Sequence, residues 1–279
     1  MKNDKCHVDS LGLLVTLKCT LKCRLCGMYA PYYKNPYNPE YSILTNQIDR
    51  LFEIITSVDQ FCVSGGEPLL RKDLPQILDY LFHYKDNITK EILIITNGTL
   101  IPEQKLLESA QKWNEKIRVV VNDYGNGLSP KASLVIQQLK KYHISNELRE
   151  QYDGRYYGGW VDYRNLTERY SPQEAIEKFK ECANPTKLHT FILQENGIIY
   201  PCQRLKRIQE MGIPIKDNEF VDIFSIEESL QEKREKIINF YNSYYSSCTR
   251  CDGMKSNSER FPAAEQLTKE EHKSNLFEL

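Results

Sequence analysis

Three cysteines stand within eight residues of this chain, Cys19-Thr-Leu-Lys-Cys23-Arg-Leu-Cys26, with three residues between the first pair and two between the second. Three thiolates on one tight loop can hold three corners of a 4Fe–4S cube and leave the fourth iron without a protein ligand. An iron with an open position is a place for chemistry. Zinc is the plainer reading of the same residues, with His7 or Cys6 completing a set of four. Zinc sites more often pair cysteines at two-residue spacings, so the iron–sulfur reading is preferred.

Three further polar signals stand at the ends of apolar runs: Ser64-Gly-Gly-Glu-Pro68, Thr96-Asn97-Gly98 and Asn122-Asp123-Tyr124-Gly125. The runs that precede them, and the one before the cysteines, read as buried strands: Leu11–Thr16, Gln60–Val63, Ile92–Ile95 and Ile117–Val121. Helix signals alternate with them. Residues 46–56 carry an apolar face with Thr45 as a cap. Asp73 and Pro75 open a second helix, Pro102 a third, and Ser129-Pro130 a fourth that runs to about Tyr142. Four strand–helix units in succession predict a parallel α/β sheet, curved or closed like a barrel. In such folds the working groups gather at the carboxyl ends of the strands, and all four polar signals fall there.

The alternation fades after about residue 150. Ser171-Pro172 predicts a helix ending at Cys182, Glu195-Asn196-Gly197 predicts a hairpin between two short strands, and a charged helix is expected over about 226–245. A boundary near residue 170 divides the expected domains into 1–170 and 171–279.

The 279 residues carry a formal net charge of −1, which gives no support to a nucleic-acid groove or an anionic membrane surface. No apolar stretch approaches the roughly 20 residues that span a bilayer, and no secretory signal is visible. Nine cysteines, an odd number, argue for metal or redox use in a reducing compartment rather than for a disulfide framework. A cytoplasmic location is expected. Cys62 reads as a buried filler, and Cys6 has no assigned role.

The cysteine loop resembles the Cys-x3-Cys-x-φ-Cys signature of the radical S-adenosylmethionine (SAM) superfamily, with Leu25 at φ, and Ser64–Pro68 resembles that family's second motif. The resemblance covers residues 11 to about 150. It implies a partial (β/α)6 TIM-like barrel of the α/β class with a small α+β C-terminal cluster-binding extension. It also implies a 4Fe–4S cluster on Cys19, Cys23 and Cys26 whose free iron is chelated by SAM. In this family the cluster's electron cleaves SAM to a 5′-deoxyadenosyl radical that takes hydrogen from an unactivated carbon. Gly65 and Gly66 would allow close backbone approach, and Glu67 would accept from the SAM ammonium. Thr96, Asn97, Asn122 and Asp123 would hold the carboxylate or ribose hydroxyls; all four are also ordinary turn residues.

Cys182, Cys202, Cys248 and Cys251 form a second set. The run from Cys182 through Gly197 to Cys202 resembles the opening of SPASM and twitch extensions, and only two cysteines follow, which is similar to the shorter twitch type. That resemblance implies one auxiliary 4Fe–4S cluster, saturated by four thiolates and acting as an electron carrier. A structural zinc is the alternative. The aromatic, glycine-rich segment from Tyr152 to Arg164 suits a hydroxylated or amino-bearing small-molecule substrate.

The spacing of the late cysteines is similar to that of the 2-deoxy-scyllo-inosamine dehydrogenases of the superfamily. By that analogy the chain oxidises an alcohol, or epimerises a carbon, of a sugar or aminocyclitol, with Arg164 or Arg169 assisting deprotonation and flavodoxin or ferredoxin as reductant. The alternative is maturation of a ribosomally made peptide. Such maturases often carry an N-terminal peptide-binding domain, for which a first strand about ten residues in leaves no room. A non-catalytic protein with two zinc sites is the reading from outside enzymes.

Overall fold

A computed structural model describes residues 5–274 except 126 and 163–165. Five strand–helix alternations lead to a sixth strand: β1 (His7–Thr16), α1 (Tyr41–Ile54), β2 (Ser57–Gly65), α2 (Leu74–Leu81), β3 (Ile88–Thr96), α3 (Gln104–Gln111), β4 (Ile117–Asp123), α4 (Ala132–Lys141), β5 (Ser145–Glu150), α5 (Pro172–Glu181) and β6 (Thr190–Leu193). The hairpin partner β7 (Ile198–Tyr200), α6 (Gln203–Glu210), β8 (Val221–Asp222), α7 (Leu230–Asn239) and α8 (Lys269–Ser274) complete the chain.

All eight strands form one sheet in the order β5-β4-β3-β2-β1-β6-β7-β8. The pairs from β5 to β6 are parallel, and β7 and β8 add antiparallel edges. This is the α/β, TIM-like arrangement expected. Leu11, Leu13 and Val15 of β1 join Leu44, Ile48 and Leu51 of α1 in the main core. That helical spacing of i, i+4 and i+7 places the three on one face. On the opposite face of the sheet Cys62 packs with Leu93 and Val120, buried as expected.

Four details depart from the sequence expectation, the first being that α4 starts at Ala132 rather than Ser129-Pro130, because the Ser129 hydroxyl donates to the Asn97 and Asn122 carbonyls instead of capping a helix. Helix α1 starts at Tyr41, not Asn46, because Glu40 after Pro39 is already extended. Thr45 lies inside the first turn, its hydroxyl donating to the Ser42 carbonyl at 3.1 Å. Helix α7 is shorter than the expected 226–245 because Ser229 and Glu232 form a reciprocal capping box at its start. Strand β5 carries no apolar pattern, because Ser-Asn-Glu-Leu-Arg-Glu is polar but for Leu148, which is itself exposed. It lies at the sheet's edge, and Glu147 there accepts from Arg118 at 2.6 Å and Arg149 at 2.7 Å.

The hairpin at Glu195–Gly197 forms as expected between β6 and β7. Strand β6 also pairs in parallel with β1, from Ser10↔Thr190 to Leu13↔Leu193, so the sheet runs unbroken past residue 170. The chain's last described stretch then returns to the cysteine loop. Phe261 forms a bridge with Trp160, and Gln266 one with Cys23. Among the described residues, no helix is long and apolar enough to cross a membrane.

Candidate functional site at the carboxyl ends of the strands

The cysteine loop leaves β1 and is gripped by the end of β2. The Gly66 N–H donates to the Thr16 carbonyl at 2.8 Å, and the Glu67 N–H to the Lys18 carbonyl at 2.9 Å. A Cβ on Gly65 would stand 2.0 Å from the Thr16 oxygen, and one on Gly66 2.3 Å from the Lys18 oxygen. Real Cβ atoms do not approach so closely, and Gly65 also has φ of +143°. The close approach expected at these glycines is therefore an approach to the chain's own backbone.

Glu67 is 0% exposed. Its Oε1 accepts from the Leu69 N–H at 3.0 Å and the Thr96 hydroxyl at 2.9 Å, and its Oε2 from the Asn97 N–H at 2.7 Å. Burial raises its pKa, while these three donors pull the other way. The carboxylate thus ties the end of β2 to the end of β3 through donors of the chain itself.

Asn97 reaches the cysteines themselves. Its Nδ2 donates to the Cys19 Sγ at 3.6 Å and to the Thr20 hydroxyl at 2.9 Å. Thr96 is spent on Glu67. Asn122 is nearly buried, its Oδ1 accepting from Gln151 Nε2 at 2.8 Å, and Asp123 accepts from the Gly125 N–H of its own turn at 2.9 Å. The four residues expected around a ligand are thus divided: Thr96 and Asn97 stand in the cysteine-loop network, while Asn122 and Asp123 organise the β4 end.

Each of the three sulfurs meets N–H donors. Cys19 receives the Leu21 N–H at 3.5 Å besides Asn97, Cys23 receives Gln266 Nε2 at 3.4 Å, and the backbone around Met28 to Ala30 serves Cys26. Burial pushes the Cys19 thiol up to about 11 and Cys23 to about 12, and raises Cys26. Buried thiols that stay protonated by themselves, yet are surrounded by donors suited to thiolates, are a donor set made for a metal that displaces the protons. The residues fit a cluster held at three corners.

Residues from several flagged segments and from the far end of the chain pack around this site. Tyr124 and Ala264 are buried against Cys23, and Trp160 meets Tyr124 edge-on at 5.6 Å while donating to Gln151 at 3.1 Å. Tyr157, from the same aromatic segment, is 79% exposed instead. Arg24 forks onto Glu271 at 2.5 and 2.9 Å, clamping the chain's end to the cysteine loop. A motif flags its own positions; the contacts of Ala264 and Glu271 come from the far end of the chain.

The second cysteine set also converges. Cys182, Cys202, Cys248 and Cys251 line one cavity of about 240 Å³ in the C-terminal part. Backbone N–H groups face three of them: Met254 to Cys182 at 3.4 Å, Tyr245 to Cys248 at 3.4 Å and Gly253 to Cys251 at 3.3 Å. Burial raises the thiols of Cys182, Cys248 and Cys251. All nine cysteines of the chain are free. Beside this cavity lies a polar one of about 390 Å³ lined by Arg169, Asp162, Asp252 and Lys255, and Lys178 lines both. Arg169 donates to the Arg250 carbonyl at 3.0 Å and lies 3.5 Å from Asp252. Arg164 lies outside the described residues.

Residues 13–121 match the model of the Radical SAM superfamily. The probable GTP 3',8-cyclase of Methanococcus maripaludis is 38% identical over 110 residues, which are 37% of this chain and 34% of that protein. The match thus spans about a third of the length of such curated relatives. BtrN in complex with AdoMet and 2-DOIA shares the fold at a TM-score of 0.54 and 16% identity, over 94% of this chain and 99% of BtrN. Streptococcus suis SuiB bound to precursor peptide SuiA does so at 0.52 and 13%, over 89% and 72%. The family model covers residues 13–121, and the solved structures show a shared fold.

Proposed function

We propose that this protein is a radical SAM enzyme that takes hydrogen from a carbon of a polar small molecule and oxidises an alcohol there, with an auxiliary 4Fe–4S cluster as the electron acceptor. Cys19, Cys23 and Cys26 would hold the cluster that SAM binds, and Cys182, Cys202, Cys248 and Cys251 the auxiliary one. The bound cofactors supply the reductive cleavage and the hydrogen-abstracting radical, and the protein supplies position and exclusion of water.

One observation carries the reading: the four-cysteine cavity shares the Lys178 wall with the polar cavity that holds Arg169. A substrate in the polar cavity would lie beside the auxiliary site. The Arg169 guanidinium, a donor fork with no acceptor, would stabilise an alkoxide at the substrate hydroxyl. Lysines and carboxylates in the same lining suit hydroxyl and amino groups. The similarity to BtrN over nearly the whole of both chains supports a sugar or aminocyclitol substrate. Flavodoxin or ferredoxin would deliver the reducing electron.

Peptide maturation is the second reading, favoured by the fold shared with SuiB. Anaerobic incubation with SAM and dithionite tests both. Sugars or aminocyclitols that stimulate 5′-deoxyadenosine formation, with one ketone per 5′-deoxyadenosine, support the first. Stimulation by a peptide alone supports the second. A redox-neutral product with solvent hydrogen at the reacting carbon indicates an epimerase, and a reduced protein that leaves SAM intact overturns the family chemistry altogether.

A further inference from the structure

The last described stretch of the chain lies along the cysteine loop as a strap. The Arg24 N–H donates to the Glu265 carbonyl at 2.7 Å and the Leu267 N–H to the Lys22 carbonyl at 2.9 Å, so the two segments pair as short antiparallel strands on either side of Cys23. At the centre of this pairing sits Gln266. Its Oε1 accepts from the Lys22 N–H at 2.8 Å, which fixes the orientation of the amide. Its Nε2 therefore faces the other way, where one N–H goes to the Ala264 carbonyl at 2.7 Å and the other to the Cys23 Sγ at 3.4 Å.

We infer that Gln266 is a positioning residue that donates its amide N–H to the Cys23 sulfur of the SAM-binding cluster and so raises that cluster's reduction potential. The inference rests on the function proposed above. Its physical basis is simple: a donor on a ligand thiolate withdraws electron density from the sulfur, stabilises the added negative charge of the reduced cluster and makes reduction easier. The donors to Cys19 and Cys26 come from the loop itself and from Asn97, whereas the side-chain donor to Cys23 arrives from 243 residues away. The strap thus gives the C-terminal part of the chain a direct hold on the electronics of the N-terminal site.

The test uses the full-length, anaerobically reconstituted protein. The SAM-binding cluster is identified as the component whose electron paramagnetic resonance signal changes on adding SAM, and its midpoint potential is measured without SAM by redox titration. Q266L removes the donor. Q266E keeps the shape and the acceptor for Lys22 but replaces the donor with an oxygen. Wild-type iron content with a more negative midpoint in Q266L, and a still more negative one in Q266E, supports the inference, the auxiliary signal staying where it was. Unchanged midpoints in both variants overturn it while leaving the proposed function intact. Absence of any SAM-sensitive signal from the wild-type protein overturns the proposed function and, with it, this inference. Should Q266L fail to retain iron, Q266E decides the matter.

Discussion

Glu67 and Asn97 are joined by a 2.7 Å hydrogen bond from the Asn97 backbone N–H to the Glu67 carboxylate, while Asn97's own side chain reaches the Cys19 sulfur. A buried carboxylate thus sets the position of a residue that touches the cysteine site. Because Glu67's backbone N–H also holds the Lys18 carbonyl, one residue registers the β1, β2 and β3 ends against each other.

Removing that carboxylate strands three donors. In E67A the Leu69 N–H, the Asn97 N–H and the Thr96 hydroxyl lose their partner, each at about 1–3 kcal/mol for an unsatisfied buried group. Denaturant unfolding of E67A is expected to show a loss of several kcal/mol, with poor iron incorporation at the first site. T96V, which deletes one donor, costs about 1.5–3 kcal/mol. A stability equal to wild type in E67A would refute the role given to Glu67.

The glycines give a contrast within one site. G66A drives a methyl to 2.3 Å from the Lys18 carbonyl, which backbone cannot yield cheaply, whereas a Cβ on Gly27 meets nothing within 4 Å. G66A should cost about 1–3 kcal/mol or more and deplete iron. G27A should stay within about 0.5 kcal/mol of wild type. Thermal unfolding and iron analysis of the two side by side check the difference.

Cysteine substitutions should sort by site. C182S or C202S is expected to lower iron from about eight to about four per chain while SAM cleavage persists, and C23S to abolish cleavage while the other four irons remain. C62A removes a buried sulfur packed on Leu93 and Val120, costing about 1 kcal/mol with iron unchanged. Eight iron retained in C182S would contradict the auxiliary site.

Acid should loosen the strap. Arg24, together with the Thr268 N–H, holds the Glu271 carboxyl down to about 2, below its ordinary value of 4.5. A depressed carboxyl stabilises the native contact above the unfolded value, and that contribution is lost as pH falls from about 4.5 toward 2. Hydrogen exchange, corrected for intrinsic rates, should show the Arg24 and Leu267 amides losing protection over that window. E271Q should show weakened protection already at pH 6 and no further drop from this source.

Arg169 offers a prediction for turnover. R169A should lower product formation while leaving substrate-independent SAM cleavage intact, because the side chain lies beside the second cysteine set and not at the first. R169K, which keeps charge but loses the fork, should recover only part of the rate. Equal product formation in all three would remove Arg169 from the substrate site.

Much of the parallel sheet was legible because parallel strands buried on both faces write themselves as continuous apolar runs, as Ile92–Ile95 does, and because Ser171 before Pro172 marks the start of α5 with a capping box. Strand β5 was not legible: an edge strand needs no apolar face when Arg118 and Arg149 satisfy its Glu147. Glu67 was visible as a site residue, but whether its carboxylate opens toward a ligand depends on how far β3 stands from β2, which is a matter of packing.

The sequence by itself determined the loop Cys19–Cys26, since the placing of three thiols on one turn depends on local spacing, and it determined that polar residues end the parallel strands, since strand length and turn chemistry are local. Tertiary structure alone decided that Gly65 and Gly66 press against the backbone at Thr16 and Lys18, that Glu67 accepts from three donors, and that Gln266 reaches Cys23. Those are contacts between segments tens to hundreds of residues apart, and no local preference encodes which distant amide will fill the last place beside a sulfur.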